Sequence, residues 1–242
     1  MFVIRLAMTS IDDTNPPRSR RERPAKPALT RQGIIDAALV ILRDEGLARV
    51  TMRRIAGALD TGPASLYVYV RNTEDLHAQI LDALLAPIGA PAQTGAETNS
   101  WRDRLKALLT RYRNVLFAHP EIARMALSTQ PSGPNYMALV DAVLALLAEG
   151  GASDQAAAWG VDLLLLYPTA IAVEHSGPKS PARKEEFSAL AAKVSAIDAA
   201  RYPHIARLGG ELMSGDGASR SDWAFDALLN GILAATSRAT TR

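Results

Sequence analysis

The chain has no cysteine. Disulfide frameworks, thiolate metal sites and cysteine nucleophiles are therefore excluded, and a reducing compartment, the cytoplasm, is the natural setting. Histidine is scarce as well: His77, His119, His175 and His204 are the full set. No two of them have the H-x-x-x-H spacing that sets a pair of imidazoles on one helix face for a metal. P-loop, G-x-G-x-x-G and G-x-S-x-G patterns are missing too, so the loops and elbows of the common enzymes have no carrier. His119 beside Pro120 reads as a helix boundary, and Glu185 with Glu186 as a solvated face. No enzyme, cofactor or metal centre is expected.

Long apolar runs are lacking. The longest, residues 161–173, falls short of the roughly 20 residues that cross a bilayer, so it predicts a buried helix and no membrane partner. The opening "MFVIRLAMTSIDD" is too short and wrongly flanked for an export signal, and Met8 is an alternative start. No solenoid repeat is present.

What the chain does have is helical periodicity, almost everywhere after residue 30, with few strand signals. An all-α protein follows. Its 242 residues, 48% of them hydrophobic, suffice for a sizeable core. The net charge of +2 is unevenly spread: Arg18, Arg20, Arg21, Arg23, Lys26 and Arg31 face Glu22 alone, whereas charge beyond residue 75 nearly balances. A proline-rich basic arm of this kind is expected to be disordered until it meets a polyanion, or to be a plain solvated tail.

Caps mark the elements. Thr30 opens a helix with the stripe Ile34, Ile35, Ala38, Leu39 and Leu42, ending at Gly46; Thr51 opens a second with Ile55, Ala56 and Leu59. Pro63 suits the first turn of a third, expected to run through Val70. Asn72 or Thr73 starts a fourth, with Glu74 and Asp75 at its positive end, reaching about Ala86 before a Pro/Gly linker over 87–99. Ser100 caps a helix from Trp101 to Ala118. Others are expected at about 121–129, 135–149, 154–174, 182–199 and 222–238, with a short irregular one at 203–212. Three divisions follow: a disordered arm (1–28), a three-helix head (29–76) and a larger helical body (77–242).

The second and third helices, separated by a tight turn at 60–62, form a helix-turn-helix, whose second helix usually enters the DNA major groove while its inner face, here Leu66 and Val70, holds it to the core. The stretch "VTMRRIAGALDTGPASLYVYVRNTEDL", with its "LY" pair followed by an aromatic two residues on, resembles the DNA-binding domain of the tetracycline-repressor (TetR) family of bacterial transcriptional regulators. The resemblance is strong over residues 30–85 and continues at lower specificity through "WRDRLKALLTRYRNVLFAHPEIA". It implies that Arg53 and Arg54 reach DNA backbone or a guanine edge, that Pro63, Ala64 and Ser65 face the groove, that Tyr67 touches phosphate and Tyr69 a base, and that Arg71, Asn72 and Thr73 flank the contact. Tyr67 also has a plain reading, as a half-buried aromatic closing the small core. Asp60 stands where the family has a turn glycine, Thr61 where it has a buried valine, and Thr73 where many members carry a phosphate-gripping lysine.

The resemblance further implies a homodimer, in which the helix over 154–174 and the last helix form a four-helix bundle with the partner, aided by Ala156, Ala157 and Gly160. A double-stranded, pseudo-palindromic operator and a small-molecule effector come with it. In the tetracycline-repressor subgroup a histidine, a threonine and a glutamate hold the drug through magnesium. The matching positions here are Ala126, Thr129 and Glu174, while drug-contacting amides become Leu108 and Ala142, and Tyr112 keeps an aromatic. Too few ligands remain for a metal chelate. A largely apolar effector is expected instead, met by Leu108, Tyr112, Ala126, Thr129, Gln130, Leu139, Ala142 and Glu174. Thr129 and Gln130 have a second reading as a helix end before Pro131, and Glu174 with His175 as a solvated terminus. Pro168 is expected to kink its helix. The competing function is a dimeric architectural or adaptor protein without an effector.

Deleting the arm is expected to weaken DNA binding across many sequences and leave the preferred one unchanged, because such arms contact mainly phosphate. Gel-shift titration of the full and shortened chains checks this; a changed consensus at equal affinity contradicts it.

Overall fold

The structure, a computed structural model, describes residues 28–89, 100–129, 131–175 and 181–239. These residues form eleven α-helices and one short 3-10 turn, with no strand among them; the basic arm lies outside them up to residue 27. The head comprises α1 (Arg31–Glu45), the 3-10 turn Leu47–Arg49, α2 (Met52–Ala58) and α3 (Pro63–Leu66). The Thr30 hydroxyl accepts the Gly33 N–H at 3.0 Å and the Thr51 hydroxyl that of Arg54 at 3.1 Å, so both expected caps are in place. Gly46, at φ 83°, ends α1 and returns its N–H to the Leu42 carbonyl. Asp60 adopts φ 48° in the tight turn, the left-handed region that aspartate tolerates better than most side chains.

The third helix is shorter than its sequence suggests. It ends at Leu66, and Tyr67–Tyr69 continue as tighter turns in which the Tyr69 N–H returns to Leu66 at 2.9 Å. Aromatic and β-branched residues are weak helix formers, and four in succession tighten the final turn. α4 (Thr73–Gly89) then leaves the head. Asn72 is its cap: its Oδ1 accepts the Asp75 N–H at 2.8 Å, and the Asp75 carboxylate accepts the Arg71 N–H at 2.8 Å. α4 passes Pro87 and keeps Leu85 and Ile88 buried, so packing carries it into the stretch expected to be linker. The head–body boundary expected after residue 76 falls inside this continuous helix.

The body contains α5 (Trp101–Ala118), α6 (Pro120–Ser128), α7 (Pro134–Glu149), α8 (Asp154–Glu174), α9 (Pro181–Ser195), α10 (Pro203–Met213) and α11 (Gly217–Ala239). α11 starts well before residue 222 because Asp216 accepts the Ser219 N–H at 2.7 Å, a cap the sequence reading passed over. α10 is regular rather than irregular. α8 is the axis, packed by α5, α6, α7 and α11. By length and composition it is apolar enough to span a bilayer, alone among the described residues, but packing on several sides is what a helix apolar all round needs in a core.

Gly160 of α8 lies where a Cβ would sit 2.7 Å from Cδ1 and 2.9 Å from Cγ1 of Ile232 on α11. The close approach expected toward a partner is thus made, at Gly160, within the chain. Gly160→Val is expected to destabilise by about 1–3 kcal/mol through overpacking, with Ile232→Ala in the same chain recovering part of the loss. Urea melts of the single and double variants check it; an unchanged midpoint for Gly160→Val contradicts it.

Candidate nucleic-acid interface and ligand cavity

Leu66 and Val70 are fully buried beside Ile34, Ile55 and Leu76, each contributing about 1.5–3 kcal/mol of hydrophobic stabilisation. With that face pinned inward, the opposite face of α3 must point out. Pro63, Ala64 and Ser65 are exposed, Tyr67 is 54% exposed and Val68 79%. Tyr67 thus turns about half of its surface outward, and Val68, which the sequence reading did not include, joins the outward set. Arg71, Asn72 and Thr73 are exposed at the start of α4, with Arg71 and Asn72 also serving its cap.

Tyr69 departs from its expected outward role. It is partly buried, and its hydroxyl donates to the Leu29 carbonyl at 2.8 Å, tying the segment before α1 to the end of α3. Arg54 departs as well: its Nε donates to both Glu45 oxygens at 3.1 and 3.2 Å, and this hydrogen bond holds the Glu45 carboxyl below its ordinary value. A guanidinium so engaged is directed at α1 rather than outward. Arg53 and Arg54, with Arg49, Ala48, Thr51 and Gly57, surround a recess of about 350 Å³ at the start of α2. Arg49 went unnoticed in sequence; its signal was three arginines around the Thr51 cap.

The body holds a cavity of about 520 Å³ between α5, α6, α7 and α8. Of the expected effector residues, Tyr112, Ala126 and Thr129 line it. Leu108 and Leu139 are instead packed into the core, Ala142 is half-buried off the cavity, and Glu174 stands exposed at the end of α8 beside His175. Gln130 lies outside the described residues. Thr129 also ends α6, its hydroxyl donating to the Met125 carbonyl at 2.9 Å. Leu127, Pro131, Val140, Val161, Leu165 and Leu166 supply apolar wall, and Tyr136, Asp162 and Thr169 polar groups that sequence reasoning missed. The available signals were Asp162, the one charge between the two ends of α8, and the Thr169 hydroxyl in the helix's apolar second half.

The polar groups are ordered. Thr169 Oγ1 donates to the Leu165 carbonyl at 2.7 Å, which leaves Tyr112 to donate to Thr169 at 2.9 Å. Burial pushes the Tyr112 phenol up to about 12, partly offset by its hydrogen bond with Thr169. Burial and the negative charge of Asp162 raise Tyr136. Both phenols thus stay protonated donors at neutral pH. Among the described residues no group of three or more metal-ligating side chains gathers, and phenols, hydroxyls and one carboxylate do not fit the oxygen cage of a divalent chelate.

A second recess, of about 560 Å³, separates head from body, lined by Leu39, Leu42 and Arg43 of α1, Leu84 of α4, and His119, Pro120 and Ile122 around the start of α6. His119 and, on α4, His77 are half-buried, and burial lowers both imidazoles, with Glu121 partly offsetting the effect at His77.

An all-α chain with a helix-turn-helix head on a cavity-bearing helical body has the build of a bacterial transcriptional regulator. The comparisons agree. The family profile described as "Bacterial regulatory proteins, tetR family" matches residues 34–80, and "Tetracyclin repressor-like, C-terminal domain" matches residues 94–236, over half of the chain. The chain belongs to the tetR family.

Among curated relatives, an HTH-type transcriptional regulator of Saccharopolyspora erythraea is 36% identical over 135 residues, covering 55% of this chain and 56% of the relative. The repressor DrrR1 of Streptomyces coeruleorubidus is 34% identical, covering 56% of this chain and 49% of the relative. The chain thus spans about half the length of these relatives. A solved Streptomyces transcription regulator is 50% identical with TM-score 0.69, covering 86% of this chain and 96% of its own. ActR of Streptomyces coelicolor, solved with actinorhodin, is 32% identical with TM-score 0.73, covering 86% of this chain and 99% of its own. The two curated relatives are named as a transcriptional regulator and a transcriptional repressor.

Because both imidazoles bind a proton less readily folded than unfolded, the unfolded chain takes up more protons as pH falls through the ordinary value of 6.5. Stability is then full above that value and declines below it. Melting temperatures are expected to drop between about pH 7.5 and 5.5, less steeply in a chain carrying His77→Gln and His119→Gln; equal slopes contradict the assignment.

Proposed function

We propose that the chain is a homodimeric transcriptional regulator, a repressor, that binds a pseudo-palindromic double-stranded operator and is released by a small, largely apolar molecule. The observation that carries this is the pinning of α3: with Leu66 and Val70 buried, Pro63, Ala64, Ser65 and Tyr67 face outward as one surface. On α2, Arg53 at the lining of the recess offers positive charge for phosphates, while Arg49 and Arg54 are engaged by Glu45. Ser65 and Tyr67 carry the groove contacts, with Arg53, Arg71, Asn72 and Thr73 on the backbone; Thr73 offers a hydroxyl and a helix-terminal N–H in place of a lysine. The arm before residue 29 adds phosphate contacts, 29–76 is the head and 77–242 the body.

The dimer reading is supported by an apolar stripe that the described residues of a single chain leave uncovered. Trp159, Leu163 and Leu166 of α8 are at least half exposed, and Trp223 of α11 is 73% exposed. Spaced at helical intervals on two packed helices, they form the kind of patch that marks a protein–protein interface. A twofold pair would set its two α3 helices about 34–36 Å apart, or a multiple of it.

The body cavity is the effector site. Its volume suits a drug-sized molecule, and its apolar walls with the Tyr112 and Tyr136 donors suit an apolar body bearing a few acceptors. ActR, a relative of the whole fold, is solved with actinorhodin. The cytoplasm, where the DNA is, is the expected site of action.

Selection from random duplexes is expected to enrich a palindrome, and Tyr67→Ala to weaken binding to it by about tenfold or more without changing the melting temperature. No enrichment contradicts the regulator reading and favours an architectural protein.

A further inference from the structure

The body cavity has a single charged group in its wall. Asp162, in the first half of α8, lines it, and no arginine, lysine or histidine is among the other lining residues. Asp162 makes no ion pair or hydrogen bond among the described residues. Its negative charge is nonetheless felt by the opposite wall, where, after burial, it is the second cause that raises the Tyr136 phenol.

A carboxylate so placed sorts the molecules that can fill the cavity. Asp162 is exposed to water, and an occupant takes that water away from the side it covers. A neutral apolar occupant leaves the charge partly desolvated without a partner, which costs affinity. An anion is repelled. A cation is attracted, and the hydrogen bonds it gives to a carboxylate are of the stronger, charge-assisted kind.

The hydroxyls favour the same class. Thr129 donates to the Met125 carbonyl, Thr169 to that of Leu165, and Tyr112 to Thr169. Three of the four hydroxyl protons at the cavity are thus committed within the protein, and those oxygens have lone pairs left for a donor. Tyr136 keeps the fourth for an acceptor on the occupant. The faces of the two phenol rings also attract cations.

We propose that the effector carries a protonated amine on its apolar body, seated against Asp162. This rests on the reading of the cavity as the effector site. The overall field of the chain does not produce such a preference, because a net charge of +2 disfavours cations. The selection is local to one carboxylate.

Naphthyl, anthracenyl and steroid bodies, each as amine, alcohol and carboxylic acid, are titrated against the full chain by calorimetry at neutral pH. The amine of a body that fits is expected to bind about tenfold or more tighter than its alcohol, with the acid weakest. Asp162→Asn keeps the shape of the side chain and is expected to bring amine and alcohol within about twofold of each other, the alcohol unchanged. Asp162→Glu is expected to keep the order. Equal affinity for amine and alcohol in the native chain, a preference that survives Asp162→Asn, or no amine bound at all overturns the proposal.

A filled cavity separates the two readings. Val140→Phe, or Val161→Phe if circular dichroism shows the first unfolded, narrows the space between α7 and α8. Alcohols that bind as tightly as amines and are lost in the filled variant keep the cavity as a ligand site and remove its cation. Amines that bind through Asp162 yet leave affinity for the enriched duplex unchanged keep the cation site and remove its effector role.

Discussion

The burial of Leu66 and Val70 is the constraint on which the molecule depends. A four-residue helix has no stability of its own, so α3 exists as an oriented element only because these two side chains are held in the core of α1, α2 and α4. The Tyr69–Leu29 bond closes that arrangement from outside. With the inner face fixed, the outward direction of Ser65 and Tyr67 needs no further contact to enforce it, and a preorganised reading surface loses little entropy on binding.

The body obeys the same logic at larger scale. α8 is apolar almost all round and must be packed on several sides, which assembles α5, α6, α7 and α11 about it. Their packing leaves a cavity and, among the described residues, an uncovered apolar stripe, and the two share Leu166. α4 runs between the two parts and shares its residues with both: Leu76 is in the head's core, and Asp82 is on the body's α7. Head and body are thereby joined by one continuous helix.

Much of this was legible in the sequence because its signals are local. Thr30, Thr51 and Ser100 act on N–H groups three residues away, and the resulting helix starts were found to the residue. The Leu66/Val70 face followed from spacing. What escaped depended on distant partners: Tyr69 meets a carbonyl 40 positions earlier and Asp82 an amide 54 positions later. Arg54 looked like a DNA contact until Glu45, from another helix, claimed it. The cavity was half legible for a related reason. Tyr112, Ala126 and Thr129 were placed by resemblance, but Tyr136, Asp162 and Thr169 join them only through the crossing of α5, α7 and α8.

The outward face of α3 against duplex DNA is the central claim, and the absence of native cysteine makes it directly measurable. Ser65→Cys creates a single thiol to which an iron chelate can be attached for localised cleavage of a bound duplex. The account predicts two cleavage centres, one per protomer, in successive major-groove faces about one helical turn apart or a multiple of it. Cleavage that is absent, spread evenly along the duplex or confined to one centre would contradict it.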